Sequence, residues 1–404
     1  MLPCIKGVAV QAPVPAHRPA PPASAPTSPA APPAAPPTAA DTATATGAAA
    51  GAARRRAANA RLPLLALGGV ALLSGLDAGL VRLEVWAPVA SQRAGDVHGL
   101  VMVLGFLGTL ISLERAQALG RSWAYLAPGL YGAGALALLS PAPVLLGQLL
   151  HVEAGVLFVA VYVALWRRAP RPLVAVQVLS AVLALCGALV ALLLDIPSAL
   201  PWLVGFVVLT IAAERAELAQ LVMGPRAERV LLALSAALTL AILAALVLPS
   251  GDRLVGVGLV LTAGWLVRHD VVRHQLRLSG QRRYLAAALL AGYLQLALAG
   301  LVLAALGLLA STGAYDVVVH GVFLGFAISM VMAHAPVILP AVIGRPLPYR
   351  PVLWGPLVLL HAGLVVRFTG ALAGLAPAWQ AGGVITVVAV LSFLATAIVL
   401  VVRR

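Results

Sequence analysis

Charge is what this chain has least of. Only 10% of its 404 residues are charged, against roughly 25% in soluble domains, and so little polar surface cannot coat a water-soluble globule. Aromatic residues make up only 5%. Lysine occurs once, at Lys6, so the other basic side chains behind the net charge of +14 are arginines. The two cysteines, Cys4 and Cys186, are far apart and in no CxxC or CxxCH context. That argues against a disulfide framework, a cysteine zinc site and covalent c-type haem attachment. Residues 1–60 are rich in Ala, Pro and Thr and lack the apolar segment of a cleavable signal peptide.

What is present is apolar: 62% hydrophobic residues and a mean hydropathy of +1.01. Runs of about 20 apolar residues, enough to span a bilayer core, recur from Leu62 almost to the C-terminus. The expected fold is all-α, a polytopic membrane protein of about twelve transmembrane helices. We place them at 62–81, 97–114, 123–140, 143–166, 173–194, 199–223, 229–248, 253–268, 284–310, 316–341, 351–372 and 378–402. Residues 1–60 read as a disordered tail, because a Pro-rich, aromatic-free stretch buries too little to order itself. Residues 61–404 form the membrane domain.

The arginines fix an expected orientation. With the N-terminus inside, the cytoplasmic joints hold Arg167, Arg168, Arg171, Arg226, Arg282 and Arg283 among many others, and the outer joints only Arg82, Arg93, Arg253 and Arg367. This agrees with the positive-inside rule and puts both termini in the cytoplasm. Abundant Arg, Ala, Gly and Pro fit a GC-rich bacterial genome, hence a bacterial inner membrane. Topology accounts for the basic charge, so no nucleic-acid partner is expected; the lipid bilayer is the first partner.

An internal repeat organises the spans. Helix two carries Gly105-Phe106, Ile111 and Glu114-Arg115-Ala116; helix six carries Gly205-Phe206, Ile211 and Glu214-Arg215-Ala216 at the same spacing. Helix ten carries Gly325-Phe326, with His334 at the offset of Glu114 and Glu214. One recurrence in every four spans implies three pseudo-repeated four-helix units in the same orientation.

Ionisable residues inside spans are rare and usually functional. His98 and His320 each open a helix on the outer side and each precede a glycine, which lets a flat ligand approach the backbone. Two facing imidazoles could hold both axial positions of a haem or part of a metal site; an interfacial histidine anchoring each helix end is the plain alternative. His151 is a third candidate for this outer site, and His361 lies mid-span. Glu114, Glu214 and His334 fall at the cytoplasmic end of their helices, where they form either a structural polar cluster or a proton path.

Twelve spans in three units, with histidines opening helices two and ten, resemble subunit I of the haem–copper oxidases. The stretches His98-Gly99-Leu100-Val101-Met102-Val103-Leu104-Gly105-Phe106 and His320-Gly321-Val322-Phe323-Leu324-Gly325-Phe326 look more like the NnrS-like family of twelve-span membrane haem proteins associated with nitric oxide stress and denitrification. The resemblance implies a b-type haem bound by His98 and His320, with an electron-transfer partner or a small gas as ligand; copper is a weaker implication. The departures matter. Helices six and seven hold no histidine, so the copper ligands of an oxygen-reducing centre are missing and oxygen-reductase activity is not expected. No catalytic residue is identified. Two other readings stay open: a secondary transporter using in-span His, Asp77 and Glu153, and a non-haem metal site of His98, His151 and His320.

Overall fold

The computed structural model describes the backbone of residues 39–403 except 309, 344 and 346, and the side chains of 61–403 outside those positions, 220–223, 337, 338 and 340–343. The first 38 residues of the stretch read as a disordered tail lie outside the described residues; the helix carrying the first span begins at Ala39. Among the described residues there is no strand.

Ten described helices are long and apolar enough to cross a membrane: α1 (Arg61–Arg82), α2 (Gln92–Leu119), α4 (Val144–Arg168), α5 (Pro172–Leu193), α6 (Ile196–Leu218), α7 (Gly224–Ala244), α9 (Gly280–Leu306), α10 (Thr312–Pro336), α11 (Pro351–Ala373) and α12 (Ala376–Val402). The count differs from the expected twelve at two places where helices nevertheless form. Helix α3 (Leu126–Leu139) has 14 residues, about 21 Å of rise, short of a bilayer core of about 30 Å. Helix α8 (Gly251–His269) carries Asp252, Arg253, Arg268 and His269 near its ends, which lowers its apolar content. Proline at the starts of α5, α11 and α12 costs no hydrogen bond there. Left-handed Gly120 and Gly374 end α2 and α11, a conformation a side chain would strain.

Helices α2 and α10 share a local construction. Each is capped by a serine, Ser91 accepting from the Ala94 amide and Ser311 from the Ala314 amide. Each then widens into an eight-residue π-helix, Val101–Gly108 and Gly321–Ile328, starting four residues before the glycine of its Gly-Phe pair. Just beyond, Thr109 and Ser329 donate to the Gly105 and Gly325 carbonyls, both at 2.6 Å. Long π segments are rare and concentrate at functional sites. The two histidines alone break the shared register, His98 falling two positions earlier than His320.

The Gly-Phe glycines let neighbouring helices close up, as small residues do where membrane helices pack. A Cβ at Gly105 would stand 2.6 Å from Cβ of Ala135 on α3, whereas at Gly205 it would meet the ends of Ile242 and Leu183 side chains at 2.7 and 2.8 Å. Flexible side-chain ends yield and a Cβ fixed to its helix does not. Gly105→Ala is therefore expected to destabilise by about 1–3 kcal/mol through overpacking, with Gly205→Ala much closer to neutral; thermal unfolding in detergent reads the difference.

Candidate functional site

At the end of the bundle where α2 and α10 begin, a partly open cavity of about 1280 Å³ is lined by α1, α2, α10, α11 and α12 and by the joint before α6. It exceeds the usual range for small-ligand pockets, about 300–1,000 Å³. His98 and His320 both line it, with Arg82, Met102, Asp316 and Arg367. The walls are glycine-rich, including Gly75, Gly79, Gly99, Gly313, Gly370 and Gly374, so a broad ligand meets backbone over much of its surface. Gly321 is not part of that lining; a Cβ there would stand 2.9 Å from Ala299 on α9, so it serves helix packing.

The two imidazoles are held differently. Nδ1 of His320 lies 3.0 Å from the Asp316 carbonyl and 3.2 Å from its carboxylate. That carboxylate in turn accepts two hydrogen bonds from Arg367, at 2.8 and 2.7 Å. Arg367 is 7% exposed and lies beside the Trp379 ring, 5.9 Å from its centroid. Both acceptors demand a proton on Nδ1, which leaves Nε2 of His320 as a lone-pair donor. His98 is packed against α1, where a Cβ at Gly79 would stand 3.4 Å from its Cε1. Its Nδ1 is buried with no hydrogen-bond partner, a costly condition unless a ligand completes it.

Other expected residues fall elsewhere. Nε2 of His151 lies 3.2 Å from the Tyr131 carbonyl; the side chain fills the α3–α4 contact, 1% exposed, and does not reach the cavity lining. Arg93 donates to the Leu138 carbonyl at 2.8 Å and to that of Ala142, tying down the α3–α4 joint. Asp77 accepts from the Val89 amide at 3.0 Å, holding the α1–α2 loop. Glu153 is exposed on α4. Asp195, at the cavity mouth, caps α6; its bonds from Ser198 hold the carboxyl below its ordinary range. Among the described residues no group of three His, Cys, Asp or Glu could hold a metal ion.

The opposite end carries two buried charge networks on the repeated Glu-Arg-Ala motifs. Arg115 contacts Glu114 at 2.8 Å, Glu214 at 3.2 Å and Glu217 at 3.6 Å. Arg215 binds both oxygens of Asp270, at 2.9 and 3.0 Å, and its third nitrogen lies 2.9 Å from Nε2 of His334. Tyr293 donates to Asp270 at 2.6 Å. The expected trio is thus divided: Glu114 and Glu214 share Arg115, whereas His334 joins Arg215. Arg115 and Arg215, spaced as the repeat spaces them, sit at the centres of these clusters, and repetition of Glu-Arg-Ala is the signal that finds them. Asp270 and Tyr293 carry no such signal.

The chain belongs to the family described as "Domain of unknown function (DUF8744)", whose model matches residues 61–402. No curated protein matches it.

Proposed function

We propose that this DUF8744 chain is a membrane haem protein that holds one haem, b-type by its noncovalent ligands, between His98 and His320 in the outer cavity. The observation carrying this is that both imidazoles line one large cavity, with Nε2 of His320 freed by Asp316 and Arg367 and the buried Nδ1 of His98 left without a partner. Asp316 orients His320, the role a carboxylate plays behind a metal-bound histidine. Arg82 lines the same cavity and supplies positive charge for the propionates. A haem there would supply one-electron chemistry, and two histidine ligands leave no open iron position, which suits electron transfer or sensing. Displacement of one histidine would admit a small gas, the property that joins this site to the NnrS-like, nitric-oxide-linked reading.

The bilayer frame belongs to the same proposal. Helices α3 and α8 complete twelve spans, three four-helix units follow from α2, α6 and α10, and the arginine-rich end faces the cytoplasm of a bacterial inner membrane. The matched serine caps and π segments of α2 and α10 support the repetition.

The test is an absorption spectrum of protein purified in mild detergent after expression with ample haem, oxidised and then dithionite-reduced. Sharp reduced α and β bands are expected, and a featureless spectrum sinks the proposal. Asp316→Asn is expected to weaken haem retention about 10–100-fold, measured as haem transfer to an apo-globin acceptor.

A further inference from the structure

The joint between α8 and α9 is the most basic of the joints between spans. From Arg268 to Arg283 it carries five arginines and one acidic residue, Asp270. That carboxylate is spent inside the bundle, on Arg215 and Tyr293. The five arginines are all exposed, and among the described residues none of them makes an ion pair or a side-chain hydrogen bond. Like charges crowded together repel one another, and an anionic partner relieves them.

A second, partly open cavity of about 730 Å³ lies beside this joint, between the end of α6 and the start of α9. Its size falls within the range of small-ligand pockets. The polar side chains lining it are Arg215, Gln275, Ser279, Gln281 and Arg282, and among the described residues no carboxylate lines it. Arg215 is already engaged by Asp270 and His334, so Arg282 supplies the free charge. Ser279, at the start of α9, makes no capping bond. Its hydroxyl and the first amide groups of that helix are left as donors, at the end of the helix dipole that favours anions.

The rest of the lining says which anion fits. It is apolar, formed by Leu218, Ala219, Val271, Leu278 and Leu285. Leu218 and Leu278 are exposed, as is Leu276 between the arginines. Inorganic phosphate would use the donors and leave those leucines bare to water. A phospholipid uses both, with its phosphate on the donors and its acyl chains over the leucines. The cavity also sits where three spans end, the level of the headgroups when the spans cross the bilayer core, and basic pockets there suit acidic lipid.

We propose that this cavity binds an anionic phospholipid. Its phosphate is held by Arg282, Ser279 and the first turn of α9, and its chains lie against Leu218 and Leu278. Arg273, Arg277 and Arg283 add the surrounding field that favours an acidic headgroup over a zwitterionic one. The site is at the opposite end of the bundle from His98 and His320 and needs no haem.

The test uses full-length protein, delipidated in mild detergent and titrated with phosphatidylglycerol, phosphatidylcholine or inorganic phosphate. Bound lipid is counted by native mass spectrometry, and thermal unfolding is read in parallel. Phosphatidylglycerol is expected to bind saturably and to raise the unfolding temperature, and the other two are not. Arg282→Gln breaks no bond within the protein and is expected to weaken binding about five-fold, the effect of one arginine beside an acidic membrane. Arg168→Gln, at an exposed position on another joint of the same end, is expected to leave binding unchanged. Equal binding of phosphatidylcholine, or equal stabilisation by inorganic phosphate, overturns the assignment to an anionic lipid. Wild-type affinity in Arg282→Gln, or an equal loss in Arg168→Gln, overturns the site, because diffuse attraction treats all exposed arginines alike.

Discussion

His320→Ala is expected to abolish the reduced α and β bands, and His98→Ala to do the same, while His151→Gln leaves them intact. The asymmetry follows from where the rings sit. His98 and His320 line one cavity, whereas His151 is packed between α3 and α4 against the Tyr131 carbonyl. Because Nε2 of His320 is set free only by the bonds at Nδ1, alanine removes both the ligand and the reason for the Asp316 clamp. Absorption spectra of the three variants, compared at equal protein, decide it. Bands that survive His320→Ala reject this ligand assignment, and bands lost in His151→Gln would place the haem elsewhere.

The second large effect concerns stability. Removing one member of a buried ion pair costs about 3–5 kcal/mol, since the other charge stays buried and unmatched. Asp270 and Arg215 form such a pair, with Asp270 only 1% exposed. The two deletions are not equivalent. In Arg215→Leu the carboxyl can take up a proton and still meet Tyr293 and the Val272 amide. In Asp270→Leu the guanidinium cannot lose its charge. Asp270→Leu is expected at the top of that range and Arg215→Leu below it, read by thermal unfolding in detergent. Equal losses would mean that Arg215 finds solvent or another acceptor when Asp270 is gone.

Much of this was open to reading in the chain, and what was hidden was hidden for physical reasons. The helices lie where apolar runs of bilayer length predict them, because that signal is a sum over about twenty residues and tolerates local noise. His98 and His320 were visible as ionisable groups beside glycine in apolar context. Asp270 was not, since it falls between His269 and the Arg273–Arg283 stretch and looks solvated; its partners Arg215 and Tyr293 are 55 and 23 residues away, and nothing local announces them. Arg115 and Arg215 look like topology markers at a membrane edge, yet they are 9% and 6% exposed, because neighbouring carboxylates draw them inward. The π segments were silent as well. Val101–Gly108 and Gly321–Ile328 are wholly apolar apart from glycine, so no polar residue marks the change from 3.6 residues per turn.

Those two segments also bear on how the cavity between His98 and His320 could move. A π-helix holds more residues per turn than an α-helix, so each segment is slack stored inside a span fixed at both ends. Letting one residue of that slack pass toward the serine-capped end would turn the chain there by about 100° and advance it by about 1.5 Å. No helix end need unravel and no loop need lengthen. A histidine one to three residues ahead of such a reserve can be drawn from its position and returned by a register shift alone, so a ligand held between the two rings, as proposed above, would be released on one side while kept on the other.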